Sequence, residues 1–385
     1  MSDPVDLLLR GARLPDRDDL VDIAIAGERS HIHLDKVLLT DRVTATAGTL
    51  EEAIRVTGQA KRGFTVEDIT SRARRVLDLA VRAGTTAMRS HVEVDPLVGL
   101  TGIEAMLALR AEYAPALDLQ LCAFAQEGIV QAPGTEGLLR RALSMGADLV
   151  GGCPYNDSDA IEHIRIVFGL ATAFGVDADF HVDFSDEPEH LHVREIAAQT
   201  VRAGWQGRVA VGHLTELAAV PGFRQDELVA EIAGAGLGVI CLPATDLYLM
   251  GRQDELNVRR GLTPIKRLLN AGVPVALASN NVRNAFTPVG TADLAHMTFL
   301  AALAAHMGTP AELRALLAMI TTHPARLLRL ADYGLTPGSR ADLVVWDCAR
   351  AEDVAATLPA RTLVVKRGRV SVEARHETVD RWRAP

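Results

Sequence analysis

Short apolar runs alternate along the chain with longer amphipathic stretches. The runs fall at 85–94 (TTAMRSHVEV), 119–125 (LQLCAFA), 147–154 (ADLVGGCP), 176–184 (VDADFHVDF), 208–214 (RVAVGHL), 238–243 (GVICLP) and 274–280 (PVALASN). Runs of this kind, bounded by turn residues, predict strands. Between them, SRARRVLDLAVRAG, EGLLRRALSMG, ELVAEIAGAG and PIKRLLNAG are amphipathic and end in glycine, a common helix stop. Strand, helix, glycine, strand, repeated about seven or eight times, is the βαβ rhythm of a parallel sheet. With so many units, a closed (β/α)8 barrel of the TIM type is expected rather than an open sheet.

The ends read differently. VDLLLRGARL and LVDIAIAGE near the start, and GSRADLVVWD and TLVVKRGRVSV near the end, are short alternating strands. They predict a small β-sandwich assembled from both termini. The expected division is 1–28 (sandwich), 29–322 (barrel), and 323–385 (a C-terminal helix and the rest of the sandwich). No repeat, low-complexity run or Pro/Ser-rich linker interrupts this order.

Composition narrows the function classes. A length of 385 residues suits one barrel with an appendage, and 48% hydrophobic residues allow a large core. A net charge of −9 argues against a nucleic-acid binder, which would show a basic stripe. No apolar run approaches the roughly 20 residues that span a membrane. Met1–Arg10 lacks the basic start and apolar run of a signal peptide. Cys122, Cys153, Cys241 and Cys348 are scattered through apolar segments, the pattern of reduced, buried thiols in a cytoplasmic protein. They do not suggest a cysteine-built zinc site. No GxGxxG follows the first strand, which removes a dinucleotide-binding dehydrogenase.

The candidate chemistry starts at HIHLD, residues 31–35. On a strand, residues i and i+2 face the same way, so an H-x-H aims both imidazoles at one point. That suits a divalent cation. Alone the motif is weak. His91 (with Glu93), His181 and His213 also fall at predicted strand ends, where barrels keep their catalytic groups. His163, His190, His192, His296, His306, His323 and His376 lie in helical or loop contexts and read as structural or solvated.

At this point the chain resembles a known family. HIHLDK, AFAQEGIV (123–130), HVDF (181–184), VGHLTE (211–216), 261–290 and 322–347 are similar to the amidohydrolase superfamily, and more closely to its cytosine deaminase-like branch. The resemblance implies a deaminase acting on a C–N bond of a small N-heterocycle, such as a pyrimidine, triazine or cyclic amide. One divalent metal ion, zinc or iron, would be held by His31, His33 and His181. His213 would polarise the substrate or orient the water, and Gln126 would read an amide edge. The absence of a lysine in GGCPYND fits one metal rather than two. Related barrels often associate, which implies a homo-oligomer. His91, Asp246 and Asn281 are further candidates for substrate contacts, with Tyr248 beside them. Lys36 beside Asp35 reads as a salt-bridged pair on the barrel rim.

The sequence departs from the family at three places. Asn280 stands where a metal-binding aspartate that acts as base is expected; its amide cannot take a proton as a base. Phe184 stands where cytosine deaminases carry a proton-shuttling glutamate, so Asp183, Asp186 and Glu187 are the candidate replacements. Finally, only RSHIHL is left to build the first barrel strand. Asn280 and Asp183 are therefore carried with His213 as the catalytic candidates. The alternative is a catalytically impaired homologue acting as a binding or scaffold protein.

Overall fold

The computed structural model describes residues 31–377 except residue 189, residues 379, 381 and 382, and the backbone of 12–13, 20–21, 25–26 and 28–30. Eight parallel strands form one sheet in chain order: β1 (Glu28–Ile32), β2 (Thr85–Glu93), β3 (Asp118–Ala125), β4 (Leu149–Gly152), β5 (Asp177–Val182), β6 (Val209–His213), β7 (Gly238–Cys241) and β8 (Val275–Leu277). The sheet curls until its two edges meet. Just beyond β8, the Asn280 N–H donates to the His31 carbonyl at 3.0 Å, and the His33 N–H donates to the Asn280 carbonyl at 2.9 Å. This is the arrangement expected of a TIM-type barrel. The seven strands read from the patterning are all present; of RSHIHL, residues 29–32 lie on the five-residue β1, and His33 and Leu34 follow its end.

The outer helices follow from their sequences. Val66–Arg82 starts at Thr65, whose hydroxyl accepts from the Asp68 N–H, and carries Glu67 and Asp68 in its first turn, favourable at a helix N-terminus. Its buried residues, Ile69, Ala73, Val76, Leu77 and Ala80, lie on one face at helical spacing. Burying Ile69, Val76 and Leu77 contributes roughly 1.5–3 kcal/mol each. The helix stops at Gly84, whose φ is +92°.

Inside the sheet the lower part is aliphatic: Ala210, Ile240, Leu242, Ala276 and Ala278 pack together, with Leu327 against them. A separate cluster of Ala53, Val56, Phe184, Leu249, Met250, Ala285 and Phe286 lies among the segments that follow the strands. The polar residues described next sit between the two.

The chain ends meet as expected in part. Ile25–Ala26, Leu343–Trp346, Arg361–Lys366 and Arg369–Glu373 form a four-stranded antiparallel sheet, with Leu343 opposite Ala26. Ala12–Arg13 pairs with Leu20–Val21. A two-layered sandwich is not seen among the described residues. The four-stranded sheet is tied to the barrel through Lys366, whose Nζ donates to the Thr86 carbonyl at 2.8 Å and to Asp118 and Asp342 at 2.7 Å. Among the described residues no helix is long and apolar enough to cross a membrane.

β4 runs so close to β5 that a Cβ on Gly151 would stand 1.8 Å from the Asp179 carbonyl oxygen. Backbone cannot yield as a side chain does. Gly151→Ala should therefore cost about 3 kcal/mol, seen as a lower urea midpoint. Gly137→Ala, where a Cβ meets nothing within 4 Å, should leave that midpoint unchanged or raise it.

Candidate metal centre and substrate mouth

Strand alternation sets three polar levels inside the sheet. β2 turns Arg89, His91 and Glu93 to the same side, and β5 does so with Asp179 and His181. The lowest level is ionic. Arg89 Nη1 donates to Asp179 Oδ2 at 2.7 Å, and both residues are buried. Burial works against the Asp179 carboxylate, yet contact with His91, His31 and Arg89 holds it well below the usual carboxylate range.

Above that pair lie the imidazoles. Nitrogens of His31, His91 and His181 all come within 4.8 Å of one another, and this group could hold a metal ion. His31 Nε2 and His181 Nε2 face each other at 3.0 Å. His31 Nδ1 and His91 Nε2 look down on Asp179 at 3.8 and 3.3 Å. His33 stands beside the group, its ring centroid 5.1 Å from His181 and 5.3 Å from His91. Phe124 forms an apolar wall, with its centroid 4.7–5.4 Å from His181, His91 and His33. Burial, reinforced by neighbouring cations and imidazoles, lowers the pKa of all four histidines. They are held neutral, the form that offers a lone pair to a metal. The Nδ1 atoms of His31, His33 and His91 have no hydrogen-bond partner. Buried polar atoms are rarely left so. Neutral, converging and under-bonded imidazoles fit a divalent cation, and the Asp179 carboxylate behind two of them is the usual support of a metal-binding histidine.

The upper level faces the mouth. His213 ends β6 with φ +73°, a backbone state uncommon outside glycine. Its Nδ1 pairs with Asp246 Oδ1 at 2.7 Å, its carbonyl accepts from Thr263 Oγ1, and its ring stacks on Phe184 at 3.8 Å. Burial raises the Asp246 pKa, and His213 counteracts it. Lys36 Nζ meets Glu93 Oε1 at 2.6 Å, Gln126 Oε1 at 3.3 Å and the Phe286 ring at 4.5 Å. Asn280 Oδ1 is buried without a partner, while the Gln126 amide is in hydrogen-bond contact with Tyr155.

The residues expected from the sequence divide accordingly. His31, His33, His91, His181, His213, Gln126 and Asn280 come together at the strand ends. Asp246 stands behind His213 rather than facing the mouth. Asn281 Oδ1 is engaged by Asn284 Nδ2 at 2.8 Å. The Asp183 carboxylate accepts the N–H groups of His192 at 2.7 Å and Val193 at 3.1 Å, at the start of helix Val193–Ala203. Burial and then Glu216 push its pKa up to about 7. Asp186 accepts the Gly251 N–H, and Glu187 pairs with Arg259. The Lys36–Asp35 rim pair is corrected: both residues are buried, Lys36 binds Glu93, and Asp35 Oδ2 accepts the Glu93 N–H at 2.7 Å. Asp179 and Lys61 escaped the sequence reading. The D-x-H spacing in DADFHV places Asp179 on the face of His181 and could have revealed it. Nothing local marks Lys61.

Fold and site together define a barrel that gathers, at its strand ends, histidines able to hold a metal ion. The chain belongs to the amidohydrolase family, whose model matches residues 30–372, and so to the hydrolases of carbon–nitrogen bonds. It is 27% identical to the N-isopropylammelide isopropyl amidohydrolase of Pseudomonas sp. strain ADP, over 97% of this chain and 98% of that protein. It is 28% identical to the pterin deaminase of Rhizobium rhizogenes strain K84, over 88% and 78%. The crystal structure of 5-methylcytosine deaminase from Klebsiella pneumoniae, liganded with 5-fluorocytosine, superposes with a TM-score of 0.92 at 26% identity, covering 97% of this chain and 99% of that one.

Elemental analysis of the purified protein should find about one divalent ion per chain, lost in His31→Ala and His181→Ala. Asp179→Asn, which keeps the shape but removes the charge behind His31 and His91, should weaken metal affinity about 10–100-fold in a chelator competition.

Proposed function

We propose that this chain hydrolyses an exocyclic carbon–nitrogen bond of a small oxo-substituted N-heterocycle, of triazine, pyrimidine or cyclic-amide type, with one zinc or iron ion as cofactor. The observation that carries this reading is the convergence of His31, His91 and His181 beside a His213–Asp246 pair and a Lys36–Gln126 pair. His31, His33 and His181, joined by His91, would hold the ion. A bound divalent ion supplies a water whose pKa falls from about 15.7 to about 7.

The chain's own residues do the rest. Asp246 fixes the His213 ring through Nδ1, which leaves Nε2 as the nitrogen to take a proton from the attacking water and return it to the leaving nitrogen. Phe184, in the place of an acid, stacks on that ring and gives the leaving group an apolar neighbour. Gln126 accepts from Lys36 through Oε1, so its Nε2, a donor only, is the group it would offer the substrate. Lys36 also only donates. Together they suit a substrate edge made of acceptors, such as ring carbonyls or a deprotonated ring nitrogen. The N-isopropylammelide and pterin substrates named for the relatives support this class.

Asn280, neutral where the family has an acid, favours a second reading: a homologue that binds ligands without turnover.

Metal-loaded protein should release amine or ammonia from at least one member of a panel of amino-substituted oxotriazines, oxopyrimidines and pterins. On that substrate His213→Ala should lower kcat by about 10²–10⁴-fold. Metal-loaded protein that is inert on the whole panel but binds a member in calorimetry would instead establish the second reading.

A further inference from the structure

One buried charge has no part in the chemistry above. Lys61, the last residue of helix Leu50–Lys61, is 2% exposed. Its Nζ lies 2.6 Å from Glu93 Oε2, 2.8 Å from Asp95 Oδ2 and 2.7 Å from Glu127 Oε1. Those carboxylates come from the end of β2, the residue pair beyond it, and the residue that follows Gln126. They stand close enough to one another to hold a metal ion, but the ammonium of Lys61 fills that place.

The geometry links this cluster to recognition. Glu93 is shared: one oxygen faces Lys61, the other Lys36. Lys36 in turn reaches Gln126 Oε1. An ammonium has three donors and here meets three carboxylates. Burying such a group costs several kcal/mol unless it is fully paired. The arrangement is therefore poor as a source of stability and well suited to fixing positions. Without Lys61, three carboxylates would converge with Lys36 as the nearest cation. Lys36 would be drawn off Gln126 towards Asp95 and Glu127. The helix that carries Lys61 is itself anchored at the mouth, where Ala53 and Val56 pack with Phe184 and Phe286.

We infer that Lys61 is a positioning residue for substrate recognition: by pairing with Glu93, Asp95 and Glu127 it keeps Lys36 beside Gln126, so that both donors face the substrate. This rests on the reading of Lys36 and Gln126 as the recognition pair.

The test compares wild type, K61M, K61R and the charge-balanced K61M/D95N in two ways. Crystal structures give the Lys36 Nζ to Gln126 Oε1 distance, and calorimetry with N-isopropylammelide gives affinity. In K61M the two atoms should part beyond hydrogen-bond reach and the Kd should rise at least about tenfold, with circular dichroism unchanged. K61R should return the Kd to within about threefold of wild type. If K61M does not fold, K61M/D95N, which loses one cation and one anion, should show the same separation and weakening. Lys36 unmoved and a Kd within about twofold in either variant would overturn the inference. If wild type binds neither N-isopropylammelide nor any other member of the panel, the recognition reading fails, while the position of Lys36 in the variant crystal structures still decides for or against Lys61.

Discussion

The site depends on two backbone hydrogen bonds. One runs from the Asn280 N–H to the His31 carbonyl, the other from the His33 N–H to the Asn280 carbonyl. They join the first and last strands, and without them β1 is a free edge whose histidines have no reason to face β5. Asn280 makes both bonds with φ +55°, a conformation that asparagine and aspartate accept more readily than most residues. The turn therefore admits either residue, and the choice of amide over acid is free to follow chemistry. Asp183 and His213 share the left-handed state. The chain thus leaves β5, β6 and the end of β8 by sharp turns; those at His213 and Asn280 place a polar residue at the mouth, while Asp183 turns to a helix start.

Charge is layered from the barrel floor to its mouth. Arg89 and Asp179 pair below, Lys36, Glu93 and Lys61 pair above, and the imidazoles between them are neutral. Unpartnered buried atoms lie in and above the middle layer, at the Nδ1 atoms of His31, His33 and His91 and at Asn280 Oδ1. An unmet buried polar group costs about 1–3 kcal/mol. The four at the strand ends leave polar atoms open to something the site binds. The same low-dielectric setting that discharges the histidines strengthens any interaction they make with a cation.

Much of this was legible in the sequence. The strand–helix–glycine rhythm gave the barrel because each β/α unit must bury one sheet face under one helix stripe, and both patterns are local. The histidines were legible because catalytic groups at strand ends fall at regular places in that rhythm. What could not be read was pairing across the chain. Lys36 has Asp35 as its sequence neighbour, yet its partner is Glu93, 57 positions away. Asp183 looked like a free acid near His181, but its carboxylate faces a helix start that only the loop 184–192 brings within reach. Asp246, read as a substrate contact, stands behind His213. The sandwich was over-read, because alternation in short terminal segments predicts strands but not the number of layers they form.

Phe184 and Asn280 belong together. Relative to the family pattern both positions have exchanged an acid for a neutral group, and Phe184 lies in the apolar cluster that includes Phe286, over which Lys36 is stacked. Lys36 stays beside Gln126, but its charge is balanced by Glu93 at 2.6 Å. What the pair offers an incoming ring carbonyl is therefore hydrogen-bond donors rather than an excess of positive charge, and His213, backed by Asp246, is engaged by neither a cation nor a helix start.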